Sequence, residues 1–570
     1  MKRWLGAAAM IGLMAGVASE SQAKDLLYLS INVPNSLNVD GPGGTFPPSY
    51  GGMLNVLEPM LGYKVKGVNA EGITELDFTQ FEPRLVESWT FDAPSLTWTM
   101  KLRRGIKGCD GTTFNADDIL YTFARAKSLS GAAAIAYFLA NVGSVATFTP
   151  ALFAARAEAQ KAKDEGKPAP TNDPRKLGDE VKKIDDYTVQ IKQSSANGLF
   201  LSVMNIFAFH MYDKEGMEKM ATADDPWSHA FANGVGVASW GPYCIDTWKK
   251  EDQFVLRANP DYYRGKANFD RVIVRKVPES ATRLTTLRTG GAHITDSLSF
   301  REFDSLKTAR GVKVGGAYNN SSTTLAPNWK TEPFSSNIKL RQAIAHAIPY
   351  QQLIDNVYQG NAKKWNGVLP SVYPGFKQQA GYDYNPAKAK QLLAEAGFPN
   401  GQGLDKFPNA FLMSYPSERE ATLGPMATIL RTALREVGIP AEIDPLPLSQ
   451  YSERQNVKKD LPMPLNDTSR PLAVDAAYSI MLNFRSVAQG GINNWMNYDN
   501  ARVTELAKMA LDEPDLTKRN ALMAEAQDIT FNEVGWVPVL EFKTMFAWKE
   551  GLKGISLQPE AQLRYYDLND

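Results

Sequence analysis

The chain has 570 residues, 44% hydrophobic and 22% charged, a globular composition long enough for two or more lobes. Its 62 basic and 62 acidic side chains cancel, which argues against nucleic acid, because phosphate binding needs a basic surface. Cys109 and Cys244 are too few for a disulfide framework; they either pair with each other or stay buried as small apolar residues.

An export signal comes first. Lys2 and Arg3 form a positive n-region, Trp4 to Val17 an apolar h-region, and Ser21-Gln22-Ala23 places small residues where a signal peptidase reads. We expect cleavage after Ala23, leaving a soluble exported protein that begins at Lys24. No cysteine sits at that junction, so no lipid anchor is expected. No later stretch reaches the ~18 uninterrupted apolar residues of a membrane span.

After Lys24, strand-like and helical stretches alternate without a repeat, which indicates a mixed α/β architecture. Leu26 to Ile31 reads as a strand, Asn38 to Ser49 as a loop, and Met53, Leu54, Val56 and Leu57 as a helical face. In WTMKLRRGIKGCDGTTFNADDI, Trp98, Met100 and Leu102 alternate with polar residues as in a half-buried strand. Gly105 and Gly108 break that strand, and Asn115 with Asp118 marks the start of a helix running through Ile119, Leu120 and Phe123. Ala151 to Lys163 is Ala-rich and helical in character, and it leads into Gly166-Lys167-Pro168-Ala169-Pro170, a solvated linker in a surface insertion. Ile184 to Ile191 and Val272 to Val277 are strands, the second closed by Pro278.

Further on, Leu340 to Ile348 has helical spacing and is stopped by Pro349. Asn385 to Gly397 carries an N-cap, a first-turn proline and a terminal glycine. Met426 to Val437, Val503 to Leu511 and Leu516 to Phe531 are amphipathic helices. Val537 to Leu540 is an apolar strand able to carry the chain back to where it began.

The sequence offers little catalytic chemistry. His210, His229, His293 and His346 are scattered and belong to no metal-binding tract. There is no nucleophile elbow, phosphate-binding loop or dinucleotide fingerprint, and no cofactor is implied. Aromatic residues clustered with amides and glycine stand out instead, at Trp240-Gly241-Pro242-Tyr243, Asn328-Trp329 and Asn493 to Tyr498. Such pairings give a solute cleft both apolar area and orienting hydrogen bonds.

Three phrases near the start of the chain, Leu85 to Trp89, Leu96 to Lys107 and Asp110 to Asp118, resemble the signature of the family 5 extracytoplasmic solute-binding proteins. These are the peptide- and nickel-type receptors of ABC importers. The resemblance continues at Gly241-Pro242-Tyr243, Asn259 to Tyr263, Arg341 to Ile348, Gly381 to Pro386 and Ala394 to Gly397, in the family's order over essentially the whole mature chain.

The resemblance implies an α/β, two-lobe periplasmic-binding-protein fold with an extra subdomain, hinged by two crossovers. On this reading residues 1–23 are the signal peptide, 24–277 and 539–570 the first lobe, and 278–538 the second, with crossovers near Val277 and Pro538. A monomeric periplasmic receptor would then close on a small molecule or peptide and deliver it to an ABC permease complex in the membrane.

The sequence departs from the family where peptide receptors carry the aspartate for a peptide's amino terminus. Leu472 falls there, between Asp467 and Asp475, and a buried ammonium without a carboxylate would cost several kcal/mol. Sugars, opine-like conjugates or modified peptides are therefore expected over free peptides. The expected pocket draws Trp240 from the first lobe and Trp329, Arg419, Arg470, Asp475, Arg485 and Trp495 from the second. Arg419 lies within two positions of the family's carboxylate-binding arginine, a role suited to a permanently charged, bidentate guanidinium. Two other classes compete, a secreted hydrolase of peptides or glycosides and an adhesin or chaperone-like surface protein.

Overall fold

A computed structural model describes residues 23–39, 47–128, 140–142, 161–162, 164–167, 179–467, 473–489, 491 and 493–570. The signal peptide, Arg470, Leu472 and most of the insertion lie outside the described residues. Among those described, no helix is long and apolar enough to cross a membrane.

The largest sheet has nine strands. Asp25–Ser30 lies parallel to Arg271–Lys276 on one side and to Ile294–Thr295 on the other. Gln253–Ala258 and Tyr243–Lys249 extend the sheet beyond Arg271–Lys276. Ile294–Thr295 thus pairs with the N-terminal strand, although it follows the crossover expected near Val277.

Beyond it run two long antiparallel strands, Val312–Leu325 and Val537–Lys549, paired from Val312 opposite Lys549 to Leu325 opposite Val537. Ile294 meets Trp548 at one end of this ribbon, and Asn466 meets Thr324 at the other. The ribbon therefore connects a body holding both chain ends with a body built from the middle of the chain.

The body with the chain ends also holds a four-stranded sheet, in the order Val86–Asp92, Thr97–Leu102, Thr188–Lys192, Val181–Asp185. The expected single strand from Ile184 is two strands, turned at Asp186 and Tyr187. Trp98 leaves this sheet to stack on Phe200, ring centroids 4.7 Å apart. The following helix is Ala116–Ser128; the Asn115 side chain accepts from Asp117 N at 2.8 Å, and Asp118 Oδ2 accepts from Asn115 N at 2.8 Å. Cys109 and Cys244 are joined by a disulfide, their Cα atoms 5.8 Å apart. The C-terminal segment returns here, with Ile555–Ser556 pairing along Ile73–Thr74. Arg564 is buried against Glu58 at 2.9 Å, and Glu58 also accepts from Tyr262 and Tyr263.

The middle body is mainly helical: Ile338–His346, Pro386–Glu395, Glu420–Glu436, Ala476–Asn483, Ala501–Asp512 and Leu516–Asn532. Pro386–Glu395 starts on the Asn385 side chain and ends at Gly397, whose φ of +91° suits a residue without Cβ. Glu420–Glu436 begins six residues before Met426 and carries Pro425 inside it, where the missing amide leaves the Ala421 carbonyl without its helical donor.

Candidate functional site

The polar run Asn319-Asn320-Ser321-Ser322-Thr323-Thr324 lies in the ribbon, and every one of its side chains is buried. Successive strand residues face opposite ways. Ser321 Oγ meets Thr544 Oγ1 at 3.1 Å and Thr323 Oγ1 meets Tyr358 OH at 2.9 Å, so these two hydroxyls are satisfied by the protein. The intervening Asn320 Oδ1 and Nδ2 and Ser322 Oγ are buried without a hydrogen-bond partner. A buried polar group left unpaired costs about 1–3 kcal/mol, so several on one strand face point to a function that supplies partners.

More unpartnered groups converge from both bodies. The Tyr373 hydroxyl, in the middle body, lies near Asn320 and within electrostatic reach of Tyr63, Tyr478 and Asp475, yet has no hydrogen bond of ordinary length. From the body with the chain ends comes the Tyr63 hydroxyl, near Ser202 and Asn205 and within reach of Glu560 and Asp475, again without a bond. Burial raises both phenols above their ordinary value, Tyr63 beyond the usual tyrosine range.

Glu560 is 6% exposed and its Oε2 has no partner. Burial pushes its carboxyl up to about 7, opposed by the backbone amides of Glu560 and Phe207. The adjoining Gln558 and Pro559 carbonyls accept from Asn319 Nδ2, at 2.9 and 3.4 Å, which ties this segment to the ribbon. The bodies also touch directly: Ser195 Oγ donates to Asp512 Oδ1 at 3.4 Å, and a Cβ on Gly198 would collide with the Arg519 guanidinium.

The residues expected in the pocket divide into groups. Trp329 and Trp495 belong to one aromatic cluster. Trp329 sits edge-on to Tyr498 at 4.7 Å beneath the Arg341 guanidinium at 3.7 Å, and Trp495 stacks on Trp536 at 5.7 Å. Arg485 adjoins them, its carbonyl accepting from Asn494 Nδ2 at 2.9 Å; its half-buried side chain leaves Nε unpartnered, and desolvation lowers its pKa.

Arg419 is engaged by Asp467, Nε to Oδ2 at 3.1 Å, and that carboxylate raises its pKa. Asp475 caps Ala476–Asn483, accepting from Ala477 N at 2.8 Å and Tyr478 N at 3.3 Å, and pairs with Arg519. Trp240 is enclosed edge-on to Phe114 at 5.0 Å, and among the described residues no hydrogen bond or ring contact joins it to the other candidates.

Tyr63, Asn320, Ser322, Tyr373 and Glu560 escaped the sequence reading. The visible signal was the six-residue Asn/Ser/Thr run, too polar for an ordinary buried strand. A cavity of about 440 Å³ opens elsewhere, between Thr331, Phe407, Arg454 and Asp460; none of its lining residues carries an unpartnered buried polar atom. Among the described residues no group of three His, Cys, Asp or Glu is placed to hold a metal ion.

Residues 80–490 match the family model of bacterial extracellular solute-binding proteins, family 5 Middle. The chain is 25% identical to heme-binding protein A of Haemophilus influenzae, over 86% of this chain and 84% of that protein. It is 24% identical to glutathione-binding protein GsiB of Escherichia coli K12, over 85% of each. Among solved structures, the dipeptide binding protein of Pseudoalteromonas sp. SM9913 in complex with Met-Leu superposes with a TM-score of 0.74 at 21% identity, over 96% of this chain and 100% of that one. That likeness shows the fold, the two-lobe architecture of periplasmic binding proteins.

Proposed function

Because the chain belongs to the bacterial extracellular solute-binding proteins of family 5, we propose that it captures a small solute between its lobes and passes it to the membrane permease of an ABC importer. The observation that carries this reading is the set of buried, unpartnered polar atoms contributed by both bodies around Asn320. What distinguishes them from single unpartnered atoms elsewhere in the core is that they come from both bodies and the ribbon together, as the groups of a ligand site do. The heme, glutathione and dipeptide in the names of similar proteins differ in size and charge, so no single solute transfers to this chain.

Export through the N-terminal signal, residence in the periplasm and action as a monomer are part of the proposal. So are the lobe limits. We place the crossovers in the ribbon, at the register shift between Tyr318 and Ser322 and opposite it at Glu541 to Lys543. Ile294–Thr295 then stays with the first lobe, whose sheet it joins. Trp329, Trp495 and Arg485 serve as part of the second lobe's wall in this reading, Trp240 is enclosed apart from them against Phe114, and Arg470, outside the described residues, is kept as a ligand-binding candidate from the sequence alone.

The test is native mass spectrometry of protein purified folded from the cells that make it. A bound species of low mass, released unchanged on unfolding, is expected. Turnover of added peptides or glycosides would instead favour a secreted hydrolase.

A further inference from the structure

We propose that Glu560 selects the charge of the solute: its free carboxylate oxygen receives a cationic nitrogen, an ammonium or guanidinium, while the Tyr63 and Tyr373 hydroxyls and the Asn320 amide bind the groups around it. The inference rests on the solute-receptor reading above and names the ligand chemistry of that same site.

Charge accounting carries it. Each of the other buried carboxylates near the ribbon and the cleft is already compensated. Asp475 holds Arg519 and two backbone amides, Asp467 holds Arg419, and Glu541 faces Lys363 at 3.4 Å and accepts from the Ser371 amide. Away from the cleft, Glu58 anchors the C-terminal segment through Arg564. Glu560 differs: among the described residues no lysine, arginine or histidine forms an ion pair with it, and Oε2 has no donor.

A buried carboxylate without a cation is costly, and a ligand cation that fills the gap recovers that cost on binding. The surroundings suit a cation. The phenol of Tyr63 is within electrostatic reach of both Glu560 and the Asp475 carboxylate, and phenol and amide oxygens accept from the remaining N–H groups of an ammonium or guanidinium.

The proposal departs from the sequence reading, which puts sugars, opine-like conjugates and modified peptides ahead of free peptides and gives Arg419 a carboxylate-binding role. Arg419 is committed to Asp467, and Arg519 is committed to Asp475, which is within electrostatic reach of the Tyr63 and Tyr373 hydroxyls.

The experiment is a thermal-shift and calorimetric comparison on the full mature protein. Agmatine, putrescine and tri-alanine with a free amino terminus form one set; butane-1,4-diol and N-acetylated tri-alanine amide form the uncharged set. Members of the first set should raise the melting midpoint and the uncharged ones should not. Glu560→Gln should weaken the response at least about tenfold, with Glu560→Asp retaining part of it.

Equal binding of both sets, no binding by any cationic probe, or unchanged affinity in Glu560→Gln overturns the proposal. Asn320→Ala and Tyr373→Phe separate the two levels. If they weaken binding and Glu560→Gln does not, only the Glu560 assignment falls. If none of the three matters, the inter-lobe site itself is misplaced.

Discussion

Asp475 and Glu560 show how burial assigns different work to one functional group. Asp475 has its charge taken up by a helix N-terminus and by Arg519, so it fixes the start of Ala476–Asn483. Removing Arg519 would leave it buried and unpaired. Glu560 keeps a free oxygen and titrates near neutrality.

Its folded-state pKa of about 7 lies above the ordinary 4.5, so between those values the folded protein holds a proton that the unfolded chain has lost. Stability of the ligand-free protein should therefore fall as pH rises from about 4.5 to 7, by up to about 3 kcal/mol from this group. Asp118, also raised to about 7 by burial, contributes with the same sign. Glu560→Gln should thus remove part of the slope in denaturant-unfolding free energy between pH 5 and 8; an unchanged slope would mean that Glu560 is solvated. Tyr63 and Asp475 face the same space; the phenol stays neutral over that range, and the Asp475 carboxyl, which burial raises despite Arg519 and two backbone amides, adds to the slope with the same sign.

At the scale of elements, segments with a clear period or cap were legible in the sequence. Asn115, Asn385 and Gly397 mark helix ends by local chemistry, and Leu26 to Ile31 and Val272 to Val277 declare strands by composition. Val312–Leu325 was not legible, because Gly315, Gly316 and six consecutive Asn, Ser and Thr residues have neither strand alternation nor β-forming bulk. Tertiary pairing with Val537–Lys549 makes it a strand, and that pairing is invisible locally. Asp475 and Arg419 stand out in the sequence only by their charge; their partners Arg519 and Asp467 lie 44 and 48 residues away and became apparent only in the fold.

The disulfide belongs to this scale as well. It spans 135 residues within the body that holds the chain ends. On the chain-entropy model, closing such a loop stabilises by about 5 kcal/mol. The Cys109→Ala/Cys244→Ala double variant should lose a large part of that in equilibrium unfolding while its affinity for solute stays near wild type. Loss of binding in a still-folded variant would tie the bridge to the site.

For the whole molecule, the decisive feature is that the unpartnered polar groups come from both sides of a two-stranded ribbon. Tyr63 and Glu560 stand on the body holding the chain ends, Tyr373 on the other, and Asn320 and Ser322 on the ribbon between them. A solute that satisfies them all contacts both lobes only when these are together, so its binding energy favours the closed arrangement. The most direct measurement is amide hydrogen exchange with and without the solute retained by the native protein. Saturation should slow exchange together in residues 198–207 and 556–562 of one lobe and in residues 319–324 and 370–376 around the other. Protection confined to one lobe, with the other unchanged in a confirmed binding titration, would contradict capture between them.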